Sequence, residues 1–113
     1  MEDTMMIMPV IALRALTVLP KMTLSFDISR PKSVAAVEKS MVSDQQLFLV
    51  TQRDPDEEDP GLAQLYHMGV IAQVRQLVKM PGGVIRVMVE VQDKGELMNF
   101  DSQEPALMGE IGP

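Results

Sequence analysis

One histidine, His67, follows Tyr66 at the entrance to an apolar stretch. An imidazole can act as a general base near neutral pH, but it needs a nucleophile or a second ligand beside it. The chain contains no cysteine, which removes a thiolate nucleophile, a thiolate metal site and a disulfide framework together. Ser29-Arg30-Pro31-Lys32 has the S-x-x-K spacing of a serine–lysine pair, in which an amine activates a hydroxyl. The same residues read as a helix start, where a serine already has a capping task, so the match is taken as chance. Lys32-Ser33 and Lys39-Ser40 lack the upstream glycines of a phosphate-binding loop, and Gly82-Gly83 marks a turn. The carboxylates show no metal-loop spacing. No catalytic, cofactor-binding or metal-ligating residue is expected, and His67 reads as an ordinary, partly exposed side chain.

The unusual residue is methionine, with eleven copies. Flexible thioethers fill irregular cores, and they also line binding surfaces that accept many partners. Met22 and Met41 fall on patterned apolar faces and are expected in the core. Met88 lies beside Arg86 and Glu90 on the polar side of its strand, and Met80 is at a hairpin tip. Met98 and Met108 belong to weaker strands. These four are the candidate protein-binding residues if some methionines form an exposed apolar patch.

The elements that must carry them fit one domain over residues 1–113. The chain is 46% hydrophobic, 23% charged and 4% aromatic. Ten Lys/Arg against sixteen Asp/Glu leave a net charge of −6, which repels phosphate and makes nucleic acid a poor partner. No apolar run approaches the ~20 residues of a membrane helix, and acids at Glu2 and Asp3 stand where a signal peptide wants cations. A cytoplasmic domain without membrane contact is expected.

Residues 6–13 read as an extended or edge strand because of Pro9. Residues 22–28 alternate: Met22, Leu24, Phe26 and Ile28 face one way, Thr23, Ser25 and Asp27 the other. A helix is expected over about 30–42, with Ser29 as N-cap, Pro31 in the first turn, and Val34, Val37 and Met41 on one face. Leu47 to Val50 is wholly apolar, a strand covered on both sides. Five acids between 54 and 59, framed by prolines, make a solvated, mobile connector, with docking of a basic partner as the other reading. Residues 68–79 and 84–91 form a hairpin about Met80-Pro81-Gly82-Gly83, its second strand facing inward through Ile85, Val87, Val89 and Val91. Strands near 95–100 and 106–111 follow. The class is α+β, with a strongly curved sheet or partial barrel.

The order of these segments resembles a known family. Pro9-Val10-Ile11-Ala12-Leu13-Arg14, followed by Leu19-Pro20, is similar to the start of the N-terminal domain of Lon, the ATP-dependent protease. The likeness continues through Lys32 to Glu38, Gln46 to Asp54, Leu65 to Ala72 and Gly83 to Glu90. The family commonly has glycine where this chain has Lys21, and a basic cluster where it has Val91-Gln92-Asp93-Lys94. The resemblance implies a PUA-like partial β-barrel of about six to seven mostly antiparallel strands with one main helix. It also implies an excised, non-catalytic piece that helps recognise unfolded or damaged proteins and organise a ring, a hexamer of subunits. The parent would be a serine–lysine endopeptidase whose ATP and Mg are held in modules absent from this chain. A freestanding adaptor and an RNA-binding PUA-like module are the alternatives.

Overall fold

The computed structural model describes residues 6–14, 21–58 and 60–112, which form six strands and one α-helix. In chain order these are β1 (Met6–Leu13), β2 (Thr23–Ile28), α1 (Pro31–Met41), β3 (Gln46–Thr51), β4 (Met68–Lys79), β5 (Ile85–Ser102) and β6 (Met108–Gly112). They make a single sheet in the order β2-β5-β4-β3-β1-β6, and β5 also pairs with β6. That second pairing closes a barrel and leaves β2 as an outlying strand. Every pairing is antiparallel except β1 with β3, whose intervening crossover carries β2 and α1.

β3 is the centre of the fold. Leu47 and Leu49 face one core, Phe48 and Val50 the other, and all four are fully buried. The first core takes Val70, Ala72 and Val74 from β4, Val87, Val89 and Val91 from β5, and Ala36 and Val37 from α1. The second takes Met8, Val10, Leu97 and Ile111. Phe48 reaches its place because Gly69 and Gly95, paired across β4 and β5, have no side chains. A Cβ on Gly69 would stand 2.3 Å from the Leu49 carbonyl oxygen and 2.7 Å from Phe48 Cζ. One on Gly95 would stand 2.9 Å from Ile111 Cγ2 and 3.2 Å from Phe48 Cε1.

Several expectations are corrected. β1 is interior, not an edge: Met6 to Pro9 pair with β6, and Val10 to Leu13 pair with β3. Pro9 is tolerated because it stands where one partner gives way to the other. The helix cap is Arg30, not Ser29, and it makes no side-chain cap bond; extended backbone (φ −64°, ψ 137°) is what a residue before proline adopts. The buried helix face is Ser33, Ala36, Val37 and Ser40, small residues that let α1 lie close to β1 and β3. Met41, one position past Ser40, is turned outward, and Met22 lies just before β2; at 37% and 40% exposed, neither fills the core. The stretches 84–91 and 95–100 are one strand, because shifts at Ile71/Ala72 and Leu97/Asn99 bend β5 without ending it.

The acidic loop is solvated but tied down. Gln52, 2% exposed, donates from Nε2 to the carbonyls of Asp54 and Glu57, each at 2.9 Å. Its Oε1 accepts from Arg30 at 2.5 Å, and Arg30 also donates to the Glu57 carbonyl at 3.2 Å. Arg14 donates to the Pro55 carbonyl, and Pro60 is buried. The sequence reading sees no local tether for this segment; the structure supplies one, because polar side chains from outside it hold its backbone.

Lys21 has a left-handed backbone, φ +71°. Its N–H donates to the Val91 carbonyl at 2.9 Å, and the Val91 N–H donates to the Met22 carbonyl at 2.8 Å. That is the geometry of a bulge whose first residue favours glycine. Replacing Lys21→Gly relieves a left-handed cost of roughly 1–2 kcal/mol, offset in part by glycine's greater unfolded-state freedom. Urea denaturation should show a net gain of up to about 1 kcal/mol.

Candidate functional site

The hairpin of β4 and β5 carries two of the four candidate methionines. Its turn is closed by the Met80 N–H donating to the Val84 carbonyl at 2.8 Å. Gly82 and Gly83 take φ values of +80° and +77°, which a residue with a side chain adopts only under strain. Met80 is half-buried at the base of this turn. Met88 is half-buried on the outer face of β5, opposite Ser25 of β2 and Gln76 of β4.

Two ion pairs flank Met88. Arg86 donates to both carboxylate oxygens of Asp27, Nε at 2.8 Å and Nη2 at 3.1 Å. Arg75 donates to Glu90 at 2.6 Å. The Arg86 hydrogen bonds, aided by its charge, hold the Asp27 carboxyl below the usual carboxylate range, and Asp27 in turn raises the Arg86 guanidinium. Met88 thus protrudes between charges that are already matched.

Met98 and Met108 lie on the other half of β5 and on β6. Met98 occupies the register shift between Leu97 and Asn99 and is 48% exposed. Met108 is half-buried at the start of β6, opposite Pro9 and Ser102. Nine strand residues lie between Met88 and Met98, and a register shift that bends β5 falls among them. Met80 and Met88 thus belong to the β4–β5 hairpin, and Met98 and Met108 to the β5–β6 half of the sheet.

Exposed apolar residues that the sequence reading missed lie near the second pair. Met68, 60% exposed, stands opposite Glu96, two residues from Met98. Ile7, 55% exposed, stands opposite Glu110, which faces Asn99. Their signal was the position of each residue at the end of its strand, where an apolar side chain runs out of partners. A cavity of about 340 Å³ opens between β1, the start of α1, the acidic loop and the β5–β6 connection. Val10, Ala12 and Leu107 form its apolar part; Arg30, Lys32, Glu58 and Glu104 line it with both charges.

The residues weighed for chemistry are scattered. His67 is exposed before β4, and its carbonyl accepts the Leu97 N–H at 2.7 Å. Ser29 is exposed, and the Lys32 ammonium lies 3.4 Å from Glu104. Among the described residues no three His, Asp or Glu side chains gather to hold a metal, and no helix is long and apolar enough to cross a membrane.

The matched charges beside Met88 have a measurable consequence. A depressed folded-state pKa means that the Asp27 contribution to stability is present above the unfolded pKa and lost as pH falls through the folded one. An NMR titration of the Asp27 carboxyl should therefore give a midpoint below the ordinary range. Arg86→Ala should return it upward and flatten that part of the acid-unfolding profile.

Three comparisons with known proteins agree. The model of the ATP-dependent protease La (Lon) substrate-binding domain matches residues 7–113. Lon protease of Desulforamulus reducens is 38% identical over 104 residues, covering 92% of this chain and 13% of the relative. Lon protease 1 of Thermus thermophilus is 42% identical over 93 residues, 82% of this chain and 12% of the relative. The chain thus spans about an eighth of the length of these relatives. Among solved structures, the N-terminal domain of Mycobacterium avium complex Lon protease superposes with a TM-score of 0.71 at 22% identity, covering 93% of this chain and 52% of that one. The Lon N-terminal domain protein of Xanthomonas campestris gives 0.67 at 10%, covering 96% and 57%. These two show the fold. The sequence matches show the family: this chain belongs to the ATP-dependent protease La (Lon) substrate-binding domain family.

Proposed function

We propose that the domain captures exposed apolar segments of unfolded or damaged proteins through its methionine-bearing surface, chiefly Met80 and Met88. Met98 and Met108 make a second, separate contact area. The observation that carries this reading is Met88 itself, a flexible thioether held half-exposed on a regular strand, in a family named for substrate binding. Thioethers repack around different side chains, which gives breadth of recognition at low affinity.

In a full-length protein the domain would serve a cytoplasmic serine–lysine protease, with further copies of the subunit in a hexameric ring. ATP and Mg would be held by other modules of that protease. Several such domains in one ring would raise a weak single contact by avidity. The net charge of −6 opposes the RNA-binding alternative.

Titration of the methyl-labelled domain with a denatured model protein tests this reading by NMR. The methyl groups of Met80 and Met88 should shift, with a dissociation constant in the range of about a micromolar to a millimolar. If charged-surface amides shift while all four candidate methyls stay fixed, recognition is electrostatic and the proposal fails.

A further inference from the structure

β2 lies outside the closed part of the sheet, and among the described residues it pairs with β5 alone. The Val91 N–H donates to the Met22 carbonyl, so Met22 and Val91 are a hydrogen-bonded pair. From there the antiparallel ladder alternates. Leu24, Phe26 and Ile28 turn their backbone groups toward β5, and Thr23, Ser25 and Asp27 turn theirs to the open edge. Among the described residues no backbone group pairs with that edge.

Edge strands are normally guarded by proline, lysine, a bulge or an unpaired charge. Thr23–Ile28 contains no proline and no lysine and pairs with β5 without a register shift; the bulge at Lys21 lies at its start and leaves the rest of the edge unguarded. Its one charge, Asp27, is drawn over β5 by Arg86. Beneath the edge, Leu24 and Phe26 are only half-buried against the first core. A further strand would gain main-chain hydrogen bonds and cover these two side chains with alternate residues of its own.

We infer that this edge receives an extended segment of an unfolded polypeptide as an added strand, apolar at alternate positions and flanked by basic residues. The inference rests on the proposed function and names how the segment is held. Charge selects the occupant: a net −6 on each domain opposes a second copy at the edge and favours a cationic segment. Main-chain pairing is blind to side-chain identity, which suits a surface that must accept many sequences.

The test uses a short peptide alternating valine and threonine with lysine at both ends, and two N-methylated versions of it. Methylating one alternating set of amides should weaken binding by at least about tenfold, the loss expected for two or so hydrogen bonds, while methylating the other set changes little. Amide exchange at Thr23, Ser25 and Asp27 should slow in the complex. Ser25→Pro, which removes an outward N–H, should weaken the peptide by a similar factor, with retained protection at Val87 and Val89 showing that the sheet is intact. If that variant does not fold, the methylated peptides still decide. Equal binding by all three peptides overturns strand addition. So does concentration-dependent pairing of this edge with a second copy that the peptide cannot displace. If denatured protein shifts the methionine methyls while methylation has no effect, the proposed function stands and strand addition falls. If neither probe binds, both fall.

Discussion

The fold depends on the Phe48 ring lying against two paired glycines. Phe48 is the largest fully buried side chain, and burying a phenylalanine contributes on the order of 1.5–3 kcal/mol. It can be reached by β4 and β5 only where both lack a Cβ, at Gly69 and Gly95. There the two long strands approach β3 closely and turn, so that β5 continues toward β6. Gly109 repeats the device on β6, where a Cβ would stand 2.7 Å from both Leu97 Cδ1 and Val10 Cγ2. Barrel closure is thus a consequence of missing side chains as much as of apolar ones.

Closure in turn sets what is available for recognition. β5 serves both halves of the sheet, and its outer face carries Met88 at one end and Met98 at the other. β2, left outside the closed strands, exposes an edge next to the row that contains Met88. Both features sit on regular strands whose inner residues are buried, so a mobile client would meet a fixed surface. Rigidity in the binder lowers the ordering cost of a weak contact.

The local patterns were legible in the sequence. Alternation placed β2, the β-branched runs about Pro81-Gly82-Gly83 placed the hairpin, and the apolar run at 47–50 was indeed covered on both faces. What failed depended on distant neighbours. Met41 was assigned to the core by periodicity, but tertiary packing chose the small face through Ala36 and Ser40 instead. Gln52, a polar residue after an apolar run, gave no local sign that it would be buried and would fasten the acidic loop. The fusion of two expected strands into β5 required knowing that Gly95 faces Gly69. Of the candidate site, the residues were named but not their division into two areas, because that follows from strand register.

The central claim is that Phe48 and the glycine pair act as one unit, and a double-mutant cycle between Phe48→Leu and Gly69→Ala tests it. Part of the cost of a Cβ at position 69 comes from the ring and should vanish when the ring is gone; the part due to the Leu49 carbonyl should persist. Equilibrium unfolding should therefore show the double variant less destabilised than the sum of the single ones, by about 1 kcal/mol or more. Additivity within about 0.3–0.5 kcal/mol would mean that the ring and the glycines are independent, and would contradict this account of how the barrel closes.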